Sequence, residues 1–289
     1  MHAVVFAYHD VGVNCLKVLL AAGIQVDLVV THQDDPNENV WFGSVANLCA
    51  EKNIPYITPS ANELVYLIPQ LQSLAPDYIF SFYYRHMIAA ELLACAKIAA
   101  LNMHGSLLPK YRGRAPVNWA ILHGETQTGA TLHVMQAKPD AGDIVGQSSV
   151  QIGPDENATE VFAKVSEAAV QVIYQVLPEL MLGKVPKKPN ELEKGSYFGG
   201  RKPTDGKIHW NQTANQIHNL VRAVAPPYPG AFTDWQGQQM IVARTSLKGP
   251  FPVQLDLGTP GIQVVDNQVF GIGGDQKAVT ILEWFAAKQ

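Results

Sequence analysis

Three cysteines, Cys15, Cys49 and Cys95, stand far apart in 289 residues and form no C-x-x-C pair. Their odd count excludes a disulfide framework, and their spacing excludes the common cysteine-based zinc and redox centres. They read as buried free thiols in a reducing compartment, the cytoplasm. No apolar stretch approaches the ~20 residues of a membrane-spanning helix. Ala3-Val4-Val5-Phe6-Ala7 follows Met1-His2 with no basic segment and no long apolar run, so no secretory leader and no membrane partner are expected. Nine histidines make no H-E-x-x-H and no short Cys/His cluster, and no metal is expected. The turn Tyr8-His9-Asp10-Val11-Gly12 is not G-x-G-x-x-G, so a Rossmann-like sheet here is not by itself a dinucleotide site. Basic residues are also scarce. With 21 Lys and Arg against 25 Asp and Glu, the net charge of -4 argues against a nucleic acid as the main partner.

What the chain does have is apolar material in a regular order. It is 47% hydrophobic and 16% charged, enough to bury a sizeable core. Strand-like runs at Ala3–Tyr8, Gln25–Thr31, Tyr78–Phe82, Ile98–Asn102, Ala130–Gln136 and Ile144–Gln151 alternate with helical patterns. The helices are expected at Val13–Ala22, Phe42–Lys52, Pro116–His123 and Thr159–Leu182. Alternation of this kind predicts an α/β fold, with a Rossmann-like, mainly parallel sheet covered by helices on both faces. From Gly183 the composition changes. Lys184-Val185-Pro186-Lys187-Lys188-Pro189 is a stiff connector, and Asn211–Val224 reads as a helix. Short strands follow at Ala231–Trp235, Met240–Thr245, Gly261–Val265, Val269–Ile272 and Val279–Trp284, punctuated by Gly and Pro. The expectation is a catalytic domain over 1–200 and a smaller β-rich, OB-like barrel over 201–289.

The chemistry concentrates at Asn102-Met103-His104-Gly105-Ser106-Leu107-Leu108-Pro109, with Asp140 downstream. Asn102 and His104 are two apart, so on an extended chain both side chains point to one face. The run Lys97–Leu101 before them is apolar enough for a buried strand, and ligands of open α/β sheets bind at such strand exits. An amide can donate to a growing oxyanion, an imidazole can move protons, and a carboxylate beside the ring would favour its charged form. Each residue alone also fits a plain structural role: a strand-end Asn, a satisfied core His, a turn Asp. A Ser106–His104–Asp140 hydrolase uses the same residues, but no G-x-S-x-G elbow is present.

The segment Asn102–Gly113, with Thr128-Gly129-Ala130-Thr131-Leu132-His133 and Asp140-Ala141-Gly142-Asp143-Ile144, resembles the signature of N10-formyltetrahydrofolate-dependent formyltransferases. The resemblance implies that Asn102 stabilises a tetrahedral intermediate, His104 acts as general acid and Asp140 raises the His104 pKa. It implies N10-formyltetrahydrofolate as co-substrate. The folate contacts would be His86, Met87 and Ile88 after the strand Tyr78–Phe82, Arg114, and the wall Gln136-Ala137-Lys138-Pro139-Asp140. By charge alone, Lys110, Arg112 and Arg114 make a cationic strip, either solvated or facing an anion.

The β-rich second part resembles the two-domain branch of the family, which formylates either methionyl-tRNA or nucleotide-linked amino sugars. Thr31-His32-Gln33-Asp34-Asp35-Pro36-Asn37-Glu38-Asn39 is acidic where the tRNA enzymes carry a basic insertion, and acidic loops repel RNA phosphates. The methionyl-tRNA enzyme is therefore the alternative. Runs such as Val4–Asp10, Phe80–His86, His104–Pro116 and Asn219–Ala225 are similar to the UDP-4-amino-4-deoxy-L-arabinose formyltransferase domain of bifunctional polymyxin-resistance proteins, which act in lipid A modification. That likeness implies a UDP-amino sugar acceptor, contacts to it at Tyr8, His9 and Asp10, and a separate dehydrogenase/decarboxylase in the same pathway. Arg201, in a stretch that also reads as a plain linker, is a candidate diphosphate or uracil contact because a guanidinium fork suits phosphate oxygens. Tyr228 and Trp235 are candidates for stacking on a base, although packing in an aromatic core is the commoner use. A non-catalytic folate- or nucleotide-binding protein and a formyltetrahydrofolate hydrolase remain open on the same scaffold.

Overall fold

A computed structural model describes residues 1–36 and 38–287. Asn37, part of the acidic segment, lies outside them. The elements are β1 (His2–Ala7), α1 (His9–Ala21), β2 (Gln25–Val30), α2 (Val45–Lys52), β3 (Tyr56–Ile57), α3 (Ile68–Leu74), β4 (Tyr78–Phe82), α4 (Ala90–Leu93) and β5 (Ala99–His104). They continue as β6 (Arg112–Gly113), α5 (Pro116–Leu122), β7 (Gln127–Val134), β8 (Ile144–Gln151), α6 (Ala158–Met181), β9 (Tyr197–Phe198) and α7 (Ala214–Val224). Five strands close the chain: β10 (Ala231–Trp235), β11 (Gln238–Ser246), β12 (Gly261–Val265), β13 (Gln268–Ile272) and β14 (Ala278–Ala286). Two compact units result. One gathers residues 1–113, 128–150 and 164–197, and the other gathers 114–127, 151–163 and 198 onward.

The first unit carries a sheet of order β3-β2-β1-β4-β5-β7-β8. Its pairs from β3 to β5 are parallel, and β7 runs antiparallel to β5. This is the mainly parallel sheet the sequence predicts. Tyr78–Phe82 is buried throughout and Ala3–Ala7 is fully covered, as continuous apolar strands must be when helices cover both faces. Phe6, Val30, Leu71, Ile79 and Leu92 share one core cluster.

Several element limits differ from the sequence-based ones. Helix α1 starts at His9, four residues early, because Val11 and Gly12 are already turned inward. Helix α2 starts at Val45 because the Ser44 hydroxyl caps it, accepting from the Asn47 N–H at 3.2 Å. Strand β5 runs on to His104, so the imidazole sits on the strand itself.

The second unit holds an antiparallel sheet of order β10-β11-β14-β13-β12. Helix α7 is fixed by a capping box between Thr213 and Gln216. It packs on α5, where the buried Asn118 amide donates to the Ala223 carbonyl at 2.6 Å. Among the described residues no helix is long and apolar enough to cross a membrane.

Candidate active site

Strand β5 is the inner wall of the site. On one side Asn102 pairs with Ser81 of β4, and on the other with His133 of β7; His104 lies opposite Thr131. Met103, between the two candidates, is buried on the other face. The His104 ring is 6% exposed. Its Nε2 lies 2.7 Å from the Tyr111 carbonyl, which can only accept, so that nitrogen carries a proton. Its Nδ1 faces Asp140 Oδ1 at 3.5 Å. A doubly protonated ring thus finds an acceptor at each nitrogen.

Asp140 reaches this point through an unusual backbone. Its φ is 49°, in the left-handed region that Asp tolerates better than most residues, and Tyr111 has φ 57°. The turn is held by three hydrogen bonds from two residues. The Gly113 N–H donates to Asp140 Oδ2 at 2.8 Å. The Asn190 amide donates to the carbonyls of Asp140 at 3.0 Å and Gly142 at 3.1 Å. The loop after β5 is pinned as well: the Thr131 hydroxyl donates to the Ser106 carbonyl and accepts from the Leu108 N–H.

Burial disfavours charge on both partners, and their contact opposes it. Burial pushes the His104 pKa down, and the Asp140 carboxylate and the Tyr111 carbonyl push back up without cancelling it. For Asp140 burial acts upward, but the His104 ring and the Gly113 N–H outweigh it and hold the carboxyl well below the usual carboxylate range. The carboxylate therefore stays charged, and each proton placed on His104 is stabilised by it.

Asn102, His104 and Asp140 are thus brought together in the first unit. The Ser106 hydroxyl donates instead to the Lys110 carbonyl at 2.6 Å, which leaves the serine hydrolase without its nucleophile–base contact. Gln136, Ala137 and Lys138 are exposed and Pro139 is half-buried, forming the rim that leads into Asp140. After β4, Met87 is 64% exposed, Ile88 packs on the core, and the His86 ring meets His32 and Tyr84.

Tyr8, His9 and Asp10 form a second group at the end of β1. The Tyr8 hydroxyl donates to Asp34 at 2.7 Å, and the Asp10 carboxylate accepts from the Gly43 N–H at 2.7 Å. The His9 ring stacks on Phe42, and burial pushes its pKa down to about 4. Arg85 lies over Tyr8 and makes a two-pronged pair with Glu38.

Of the cationic strip, Arg112 is 8% exposed with its guanidinium 6.0 Å from the Tyr197 ring, so it does not face solvent as Lys110 and Arg114 do. Arg114 and Arg201 belong to the second unit. Arg114 is exposed there, and Arg201 lies 4.9 Å from the Trp119 ring centre, with Nη2 donating to the Asp205 carbonyl. Trp235 packs edge-on against Trp284, and burial pushes the Tyr228 hydroxyl up to about 12.

One residue of the cluster was not singled out by the sequence. His133, 2% exposed, stands between Asn102 and Asp140. The available signal was a single ionisable residue in the apolar strand run Ala130–Val134.

A mainly parallel α/β sheet thus carries an amide, an imidazole and a carboxylate at the exit of β5, and an antiparallel β unit follows it in the chain. Residues 7–177 match the formyl transferase family, and residues 201–289 match the formyl transferase C-terminal domain; the chain belongs to the formyl transferase family and is a formyltransferase. Solved structures share the fold. An N-formyltransferase from Helicobacter canadensis, crystallised with folinic acid and dTDP-3-aminofucose, has a TM-score of 0.75 at 18% identity over 97% of this chain and 98% of that one. A 4-N formyltransferase from Francisella tularensis has a TM-score of 0.67 at 23% identity over 84% and 96%. The methionyl-tRNA formyltransferase of Clostridium thermocellum has a TM-score of 0.62 at 16% identity over 100% of both chains.

Proposed function

We propose that the chain transfers a formyl group from N10-formyltetrahydrofolate to the amine of a nucleotide-linked amino sugar, with UDP-4-amino-4-deoxy-L-arabinose as the acceptor of first choice. The observation that carries this reading is the 3.5 Å contact of His104 with Asp140, two residues along β5 from Asn102. Similarity in fold to enzymes crystallised with a folate and a nucleotide-linked amino sugar supports it. So does the rim 136–139 beside Asp140, with the Met87–Ile88 loop as apolar cover for a pterin. On this reading residues 1–200 do the chemistry and 201–289 form the C-terminal domain, in which Arg201 meets the nucleotide. A dehydrogenase/decarboxylase upstream would supply the amino sugar, and the product would serve lipid A modification and polymyxin resistance.

The reaction needs no covalent enzyme intermediate. The acceptor nitrogen attacks the formyl carbon, a C–N bond forms, and the formyl oxygen takes the negative charge. The Asn102 amide donates to that oxygen, and the charged His104 ring stabilises it. The attacking nitrogen then loses its proton to water or, transiently, to Asp140. His104 exchanges its Tyr111 contact for the leaving nitrogen and delivers its proton there as the bond to N10 breaks. The Asp140 carboxylate, held near 2, offsets part of the cost of burying charge on the ring rather than serving as a strong base.

The test is to mix the protein with N10-formyltetrahydrofolate and, separately, the UDP-amino sugar, dTDP-linked amino sugars and charged initiator tRNA. Tetrahydrofolate release and the formamide product would be followed by mass spectrometry. Formylation of the UDP sugar supports the proposal. Formylation of the tRNA instead, or formate release independent of any acceptor, refutes it.

A further inference from the structure

We infer that His133 is a positioning residue that sets which way round the Asn102 amide sits. The inference rests on the formyl-transfer reading above, which gives Asn102 its task. His133 is buried on β7 directly across the ladder from Asn102. Its Nδ1 lies 2.9 Å from the Val134 carbonyl, which has no hydrogen to give, so Nδ1 carries the ring proton. In the neutral ring Nε2 is then bare and can only accept. The group in front of it is Asn102 Nδ2, at 3.0 Å.

An amide has an oxygen end and a nitrogen end of nearly equal shape, and only its hydrogen-bond partners decide between them. A bare Nε2 accepts the nitrogen end and repels the oxygen end. One amide hydrogen is thereby spent on His133 and the other remains for the formyl oxygen.

The same nitrogen lies 3.4 Å from Asp140 Oδ1, which His104 also faces. A second proton on His133 would therefore do two things. It would turn a hydrogen toward Asp140, in competition with His104, and it would force Asn102 to present its oxygen. Among the described residues, the charged and titratable groups that act on the ring are Asp140 from the turn before β8 and His104 from β5. The neutral ring is the one that keeps the amide, the carboxylate and the second imidazole each in a single role.

Two measurements test this on the full chain. The first needs no substrate: nitrogen-15 NMR of the histidine side chains at neutral pH. A protonated Nδ1 and a bare Nε2 at His133, with one Asn102 amide hydrogen coupled to that nitrogen, are expected. A proton on Nε2 overturns the inference. Because no acceptor enters, this result is independent of whether the sugar is the true substrate.

The second is kinetic. His133→Leu removes the acceptor, whereas His133→Gln restores an oxygen able to accept from Asn102. Loss of an oriented oxyanion donor predicts kcat lower by about tenfold or more in His133→Leu, with KM for folate unchanged and activity largely regained in His133→Gln. In an Asn102→Ala background His133→Leu should add little further loss. Full activity in folded His133→Leu, or losses that multiply in the double variant, would show that the ring does not act through the amide.

Discussion

Gly142→Ala offers a sharp test of how the carboxylate is placed. A Cβ on Gly142 would lie 1.9 Å from the Val134 carbonyl oxygen and 2.9 Å from its carbon, whereas real Cβ contacts essentially never fall under 3.0 Å. Backbone must therefore move by more than an ångström on one side or the other. Both sides belong to the site. Val134 follows His133 on β7, and Gly142 is two residues from Asp140, with its carbonyl tied to Asn190. Overpacking of this kind costs about 1–3 kcal/mol of stability. A displacement near 1 Å at a reacting group costs on the order of a hundredfold in rate. The variant should melt a few degrees lower in calorimetry yet remain folded, and it should lose turnover far more than stability. Gly199→Ala is the control, because nothing lies within 4 Å of the added methyl. Wild-type turnover in Gly142→Ala would mean that the 140–143 turn does not set the geometry of the reaction.

His104→Ala should abolish formyl transfer while leaving folate binding measurable by fluorescence titration; normal turnover would remove the ring from proton transfer. In Asp140→Asn the ring loses the carboxylate that offsets its burial, so its pKa falls further and less of it is protonated at neutral pH. The limb where kcat/KM declines with rising pH should then move to lower pH, and an unmoved limb would contradict the pairing. Arg201→Ala should raise KM for the sugar nucleotide and leave folate affinity unchanged, as read by isothermal titration. His218→Leu removes the buried contacts to the Pro154 carbonyl and the Thr245 hydroxyl, at 2.9 and 2.8 Å. It should cost about 1–3 kcal/mol in urea unfolding with turnover intact.

Strands were legible where burial on both faces made the run continuous. Tyr78–Phe82 occupies the span its apolar run predicts and is buried throughout; Ala231–Trp235, only partly buried, was legible instead from Gly230 and Gly237 on either side. Short elements were not legible: β3 has two residues, and α3 is seven residues long with Pro69 near its start, so its apolar positions Ile68, Leu71 and Leu74 span too few turns to stand out. Strand direction was hidden too, because alternation in β7 reads the same either way along the chain. Asn102 and His104 declared themselves by spacing on one strand. The approach of Asp140 depends on a left-handed turn and on Asn190, fifty residues away, and no local pattern encodes either. His133 stayed hidden for a related reason. Its meaning comes from the strand opposite, and a lone histidine in an apolar run looks the same whether it fills space or orients an amide.

The reversed direction of β7 has a consequence for how such a centre tolerates change. Asn102 and His133 meet because they occupy one rung of a two-chain ladder. A slip of a single residue would set Leu132 or Val134 against the amide and turn the imidazole to the far side of the sheet. The centre is therefore indexed by counting along two backbones, much as teeth mesh on a rack. One added residue within either strand would dismantle the centre while leaving every side chain in the sequence.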